Sequence, residues 1–485
     1  MNLGTRAVIL GGSMAGLSAA GAVAPYVDEV VILERDELPI DAQHRRGVPQ
    51  SKHPHFLLNS GRRAIEALFP GYERDLIAAG GMPLTASMDT AYLDGDGWAP
   101  RKEGALTMVY GSRLLIERVL RDRVRALPGV VFHEGVTVTG LRASGGRVSG
   151  VDFMSPAGAE YLDADLVVDA MGRGSSVPDW LVEAGWPEAT VQTLDAKVTY
   201  VSRWYDIPDS GTRSASWWWQ HMVIMPTQAK GDHPDEHEYL VNFFPIEGNR
   251  SIACMGSWGL PMPKTIDDFQ ASADRLRTPQ FAAAMAASEP TSEVHLTRST
   301  GNKWRRYDRL RKAPLGVVFV GDSICAFNPF YGQGMSSAAI SARLLSERLA
   351  KASALDEHFF ADFLKRQAKE FKVPWGMAMA RDRGYECATG TEVAPAWVRR
   401  ILAAMTWPMF NLITGAARED PVIDDHFARV FNMDESIVAM MVNPRVLLGF
   451  ARYKLRFWLR RERIPYGFDP QAEPPGTNWT PKLAG

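Results

Sequence analysis

An α/β protein in three parts is what this sequence predicts, and three stretches carry the prediction. Residues 5–34 read as strand, glycine turn, helix, strand and acid, the order of a Rossmann βαβ unit. Residues 191–262 hold alternating, aromatic-rich runs separated by turn signals, which read as a largely antiparallel sheet. From Asp356 onward the apolar spacing is helical, up to a Pro-rich tail.

Composition sets the outer bounds. The chain has 485 residues, 46% hydrophobic and 23% charged, enough for two or three packed units. A net charge of −2 gives no pointer to nucleic acid. Cys254, Cys325 and Cys387 form neither a metal spacing nor a disulfide framework, so a reduced, cytoplasmic protein without a bound metal is expected. The first strand starts by about residue 6, which leaves no room for a signal peptide. No apolar run reaches the roughly 18 residues of a membrane span. The longest candidate, Ile401–Gly415, is broken by Pro408 and Asn411.

In the first unit, Arg6–Leu10 is a short apolar strand ending at Gly11-Gly12. A helix of small residues follows over Met14–Ala24, then a strand over Glu29–Leu33 ending in Glu34. Gly11 permits the tight turn. Ser13 stands where a second glycine is usual and is small enough to let a diphosphate approach the backbone. Gly16 lets helix and strand pack closely, and the helix N-terminus offers free N–H groups to phosphate. Glu34 sits at the distance expected of a carboxylate on a ribose hydroxyl. The loop does not separate NAD from FAD.

The segment "GVVFVGDSICAFNPFYGQGMSSAAISARLL" (Gly316–Leu345) is an apolar strand, a Gly-Asp turn, a Pro/Gly loop and a small-residue helix starting near Met335. It resembles the Gly-Asp motif of flavoprotein monooxygenases of the para-hydroxybenzoate hydroxylase type. The resemblance implies that Asp322 binds the ribityl chain of FAD and that the Pro329–Gly334 loop runs beside the isoalloxazine ring. The positive end of the helix from Met335 would then face the ring edge that carries negative charge on reduction. "ADLVVDAMGRGSS" (Ala164–Ser176) resembles the family's Asp-Gly segment. It keeps Gly172 but has Met171 where the Asp aligns, so the electron donor is either NAD(P)H directly or a separate flavin reductase.

Within that superfamily the chain looks closest to bacterial polyether and polyketide epoxidases, with squalene epoxidase a more distant relative. "RRGVPQSKHPHFLL" (Arg45–Leu58), "GSRLLIERVLR" (Gly111–Arg121) and "FNPFYGQGMSSA" carry this likeness over about residues 5–350. The cofactor-binding set implied is Gly11, Gly12, Ser13, Met14, Ala15, Gly16, Glu34, Arg35, Arg46, Val48, Arg113, Gly172, Asp322, Pro329, Gly332, Gly334 and Met335. His53, His55, Arg305, Arg306 and Tyr307 are expected to be structural. The domains expected are a discontinuous FAD-binding unit (1–75, 101–178, 295–355), a substrate-binding sheet (76–100, 179–294) and a C-terminal helical region (356–485).

The middle sheet would cover the flavin with one face. Trp217, Trp219 and Phe243, with Phe330, are expected to line a pocket for a large apolar substrate, and twenty methionines would suit an adaptable wall. The activity implied is insertion of one oxygen atom from O2 through a flavin hydroperoxide, most simply olefin epoxidation of a polyketide or terpenoid in secondary metabolism. No side chain stands out as an acid–base catalyst. Aromatic hydroxylation, flavin-dependent halogenation and reduction of isoprenoid double bonds are the alternatives, with a non-enzymatic flavin-binding protein behind them. The halogenase signature Trp-x-Trp-x-Ile-Pro is absent. Finally, "PRVLLGFARYKLRFWLRRERIP" puts Arg452, Arg456, Arg460 and Arg463 on one helical face and Leu448, Ala451, Leu455 and Trp458 on another. That helix is expected to pack on its own domain with a solvated basic face. Peripheral membrane contact is the alternative.

Overall fold

A computed structural model describes residues 2–94, 97–104, 106–226, 228–229, 233–234, 238–298, 300–460 and 471–476. Arg463 and most of the Pro-rich tail lie outside the described residues.

Five parallel strands form the first sheet: Gly4–Leu10 (β1), Val27–Leu33 (β2), Val130–His133 (β3), Leu166–Asp169 (β4) and Val317–Phe319 (β5). Their order is β5-β4-β1-β2-β3. The last four residues of β1 are fully buried, as continuous apolar runs in a sheet covered on both sides must be. Helix α1 (Met14–Val23) follows β1 and is built almost wholly of small residues, so it packs close to the strands. Helix α2 (Arg113–Arg125) starts at Ser112, whose hydroxyl accepts from Leu115 N, and helix α3 (Gly334–Leu349) packs beside α1. Strand β4 separates β5 from β1, and it is the packing of α3 on α1 that brings residues 4–33 and 317–349 together, although nearly 300 residues separate them.

The second sheet has eight strands and is antiparallel except where Thr90–Asp94 runs parallel to His221–Ile224. Its centre is Thr199–Asp206, Arg250–Ser257, Leu240–Ile246 and His221–Ile224, as the aromatic-rich pattern predicts. Trp217–Trp219 precede their strand rather than belonging to it. One face packs on helices Ile266–Asp274 and Gln280–Ala286 through Met222, Phe243, Phe269 and Phe281. The other face meets the first unit.

The C-terminal region is helical: α4 (Glu357–Asp382), α5 (Ala396–Glu419), α6 (Pro421–Phe431), α7 (Ile437–Met441) and α8 (Pro444–Arg460). Asp356 caps α4 by accepting from Phe359 N, and Asp420 caps α6 by accepting from Val422 N. Ile401–Gly415 falls within α5, and no helix among the described residues is long and apolar enough to cross a membrane. Helix α8 packs through Val446, Phe450 and Tyr453. Arg452 is solvated and Arg456 half-buried, but the Leu448–Trp458 face is not the one that packs on the domain. Leu448, Ala451, Leu455 and Trp458 are turned to solvent, because Val446, Phe450 and Tyr453 occupy the side facing α5 and α6.

Candidate functional site

The glycine loop is shaped by contact. Gly11 has φ +104°, and a Cβ on Gly16 would lie 1.8 Å from the Gly11 carbonyl oxygen, so neither position accepts a side chain. Ser13 precedes α1 but does not cap it. Its hydroxyl instead donates to Glu117 (2.7 Å) and accepts from Arg113 (2.7 Å). The first turn of α1 is therefore left without a side-chain acceptor, and a guanidinium stands next to it. That pairing suits a diphosphate. Met14 is buried beside the loop, and Ala15 touches the Gly-Asp turn.

Glu117 is the hub of this corner. It pairs with Arg113 (3.1 Å) and Arg45 (2.9 Å). Burial opposes its charge, but Arg113 and Arg45 outweigh it and hold its pKa below the usual carboxylate range. Glu34 accepts from Gly12 N (2.7 Å) and Asp36 N (3.0 Å) and lies 3.3 Å from Arg45. Each carboxylate oxygen keeps a further lone pair, enough for a ribose hydroxyl. Val48 is buried nearby. Arg46 and Arg35 are exposed, and the inward arginine of the Arg-Arg pair is Arg45. A pattern reading cannot tell which of two adjacent arginines turns in. Glu117 was also missed, because a glutamate inside an amphipathic helix reads as surface.

Asp322 lies across the cleft. A Cβ on Gly321 would come within 2.8 Å of Ala15 Cβ, so the Gly-Asp turn and the N-terminal loop adjoin. Arg173, next to Gly172, reaches Asp322 (3.3 Å) and the carbonyls of Gly301 and Phe327. Gly172, Gly174 and Gly334 border open space, apart from Asp322 Oδ1 near Gly334. Helix α3 begins without a side-chain cap, with Met335 buried in its first turn, and the buried Gln333 Oε1 and Ser337 Oγ have no hydrogen-bond partner among the described residues. Open glycine edges, two uncapped helix starts and buried orphan polar atoms fit FAD laid between the two segments. Asp169, beneath Gly172, accepts from Ser175 Oγ (2.7 Å) and Met171 N (3.1 Å), and burial pushes its pKa up to about 6.

The Pro329–Gly332 loop is held from an element that sequence reasoning did not connect to it. Asp382 of α4 accepts from Asn302 Nδ2 (2.7 Å), Asn328 Nδ2 (3.1 Å) and Tyr331 OH (2.9 Å). Burial raises its pKa, and these three donors work against that rise. Gly332 has φ +64°, and a Cβ there would sit 3.0 Å from Phe56 Cβ. Phe56 opens an aromatic box with Tyr110, His221 and Phe244, ring centroids 4.8–5.8 Å away. His221 Nε2 contacts Asn242 Oδ1 at 2.5 Å, and burial drives its pKa down to about 4, so the ring is neutral at pH 7. On the other side of the loop, Phe330 packs edge-on to Trp258 (5.1 Å), with the Arg381 guanidinium 4.4 Å from the Phe330 centroid.

The expected substrate wall is corrected. Trp217, Trp219 and Phe243 lie on the opposite face of the sheet, against Phe281, and are not brought to the loop. The reason is the two-residue period of a strand: Phe244 packs on Phe56 and Tyr110, so its neighbour Phe243 points to the other face. Phe330 lies in the Pro329–Gly332 loop itself. A cavity of about 430 Å³ lies on another face of α4, between Trp304, Trp375, Met379 and Leu402. His53 Nδ1 meets Ser202 Oγ at 2.8 Å and His55 Nδ1 meets the His53 carbonyl at 2.9 Å. Arg305 donates to the Ser323 carbonyl, Arg306 pairs with Asp308, and Tyr307 stacks on Phe319, all beneath the Gly-Asp strand.

Protein Rv3254 of Mycobacterium tuberculosis is 32% identical over 472 residues, covering 94% of this chain and 95% of that protein. The chain belongs to the family of protein Rv3254. Kynurenine 3-monooxygenase of Salinispora tropica is 28% identical over 367 residues, 71% of this chain and 72% of that protein. Among solved structures, the flavin-dependent brominase Bmp2 superposes with a TM-score of 0.64 at 13% identity, covering 95% of this chain and all of that one. p-Nitrophenol 4-monooxygenase PnpA of Pseudomonas putida DLL-E4 gives 0.59 at 16% identity, covering 90% and 99%. No family model matches the chain. The fold is that of the FAD-dependent monooxygenases of the para-hydroxybenzoate hydroxylase type, an enzyme fold.

Proposed function

We propose that this member of the Rv3254 family is an FAD-dependent monooxygenase acting on a large apolar molecule, with olefin epoxidation as the reaction. The single observation that carries the substrate class is the aromatic box of Phe56, Tyr110, His221 and Phe244 set against Gly332. When bound, FAD supplies the activation of O2. The chain's own residues do the rest. Ser13, Arg113 and the first turn of α1 would hold the diphosphate, Asp322 would hold the ribityl chain, and the start of α3 would stabilise negative charge on the ring. The Asp382-clamped loop would support the ring, and the box would exclude water from it.

Epoxidation is favoured over a reaction that needs a general base because the titratable groups of the box are His221, made a weak base by burial, and Tyr110, whose pKa burial raises. Either NAD(P)H or a partner flavin reductase supplies the electrons. Without the acid that usually accompanies Gly172, a reductase is the reading we adopt. The test has two arms. Anaerobic protein is mixed with NADH, NADPH or a reductase while flavin absorbance is followed; bleaching by the reductase alone is expected. Oxygen uptake is then measured with candidate olefins, with and without bromide. Product that requires bromide would overturn oxygenation in favour of halogenation, and turnover without O2 would favour double-bond reduction. Asp322→Ala should lower FAD occupancy at least tenfold, and full occupancy would remove Asp322 from the site.

A further inference from the structure

Seven large hydrophobic side chains are more than 60% exposed among the described residues, and six of them lie between Trp397 and Leu459. The rest of the described surface has one, Ile40. Leaving this much apolar surface in water is unfavourable, so the concentration calls for a partner. Helix α8 shows its form most clearly. Val446, Phe450 and Tyr453, spaced i, i+4 and i+7, bind it to α5 and α6. The opposite side carries Leu448, Leu455, Trp458 and Leu459, with Trp458 the most exposed at 73%. Helix α7 packs against the same small core through Met440 and turns Val438 and Val442, one helical turn apart, to solvent.

Charge narrows the choice of partner. Helix α8 contains five basic residues and no acidic one. Arg445 and Arg452 are exposed along one edge of its apolar stripe, and Lys454 is exposed near the other. Arg456 is held by Glu419 (3.4 Å) and so fixes the helix to α5. An outward apolar stripe, a terminal tryptophan and basic edges make a helix that sits at the boundary between acyl chains and anionic headgroups. A self-association surface would have to bring these basic edges together, which repulsion opposes.

We propose that the outer face of α8, extended by α7, docks the enzyme on an anionic lipid surface. The docking face is independent of the reaction proposed above, although an apolar substrate dissolved in a bilayer would give it a use. The attachment is peripheral, since no described helix can span the bilayer.

The test is flotation of the full-length chain with vesicles of phosphatidylcholine alone or mixed with phosphatidylglycerol. Wild-type protein should float with the mixed vesicles only, and added salt should release it. Leu455→Glu combined with Trp458→Glu should cut partitioning by about tenfold or more. Both positions are exposed, so circular dichroism and FAD content should not change. Met154→Glu, an exposed hydrophobic position on a distant strand, should bind as wild type. Equal flotation of the double variant, equal binding to neutral vesicles, or no flotation of the wild type would each overturn the proposal. So would a wild-type dimer, seen by light scattering, that the double variant dissolves while lipid binding is absent.

Discussion

Replacing Asp382 by asparagine tests how the flavin loop is held. In the native arrangement one oxygen accepts from both Asn302 (2.7 Å) and Asn328 (3.1 Å), and the other accepts from Tyr331 OH (2.9 Å). An asparagine has one acceptor oxygen. If it keeps the two amide donors, its own NH2 is turned toward the tyrosine hydroxyl. Tyr331 must then accept, and its proton is left with the Ala378 carbonyl at 3.5 Å, a poor bond. One hydrogen bond to a charge, worth about 1.5–3 kcal/mol, is lost, and two others are reduced to neutral ones at roughly 1 kcal/mol each. Relief of the buried charge offsets part of this, as the raised pKa of Asp382 requires. The net loss is on the order of 2–4 kcal/mol, concentrated on residues 328–332. Urea unfolding measures that loss, and titration of apoprotein with FAD shows whether it reaches the site. We expect lower stability, weaker FAD binding and a shifted flavin absorption band. Asp382→Ala should cost more than Asp382→Asn, because it removes the shared acceptor of all three donors and leaves Asn302 with the Leu194 carbonyl and Tyr331 with the long contact to Ala378. An unchanged flavin spectrum and affinity in a destabilised Asp382→Asn would make the clamp purely structural and refute its role in placing the ring.

Three further substitutions probe the rest of the site. Ser13→Ala removes both contacts that tie the phosphate loop to Arg113 and Glu117 but leaves their ion pair at 3.1 Å, so FAD affinity by calorimetry should fall about tenfold while the fold survives. Gly16→Val places a carbon 1.8 Å from a backbone oxygen; a soluble, FAD-loaded variant would contradict the loop geometry. Asp169 is pushed from 3.8 up to about 6 by burial, so the fold favours its neutral form. Its contribution is fully present below about pH 4 and is lost as pH rises to about 6, a span of roughly 3 kcal/mol. Asp169→Asn stays neutral throughout, so its stability relative to wild type should rise across that window. Parallel urea curves from pH 4 to pH 7 would show that Asp169 is not the group responsible.

What the sequence determined by itself is local and periodic. The strand–turn–helix of residues 4–23 is written in Gly11, Gly16 and the run of small residues, because sterics within one turn decide it. The Gly-Asp turn at 321–322 is legible for the same reason, and the resemblance of both segments to flavoprotein motifs rests on such short stretches. Alternation of apolar residues located the strands of the second sheet, though not the side of it to which Phe243 and Phe244 each belong. That side depends on what packs against the sheet, and neither the helices behind it nor Phe56 in front of it is a neighbour in sequence. The choice of Arg45 over Arg46, the burial of Glu117 among arginines and the grip of Asp382 on Asn328 are likewise contacts across tens or hundreds of residues. A buried charge is stable only where its partners converge, and the chain does not record that convergence until it is folded. Helix α8 shows the same division. Its two apolar stripes are plain in the sequence, but tertiary packing decided which one is covered and which one faces outward.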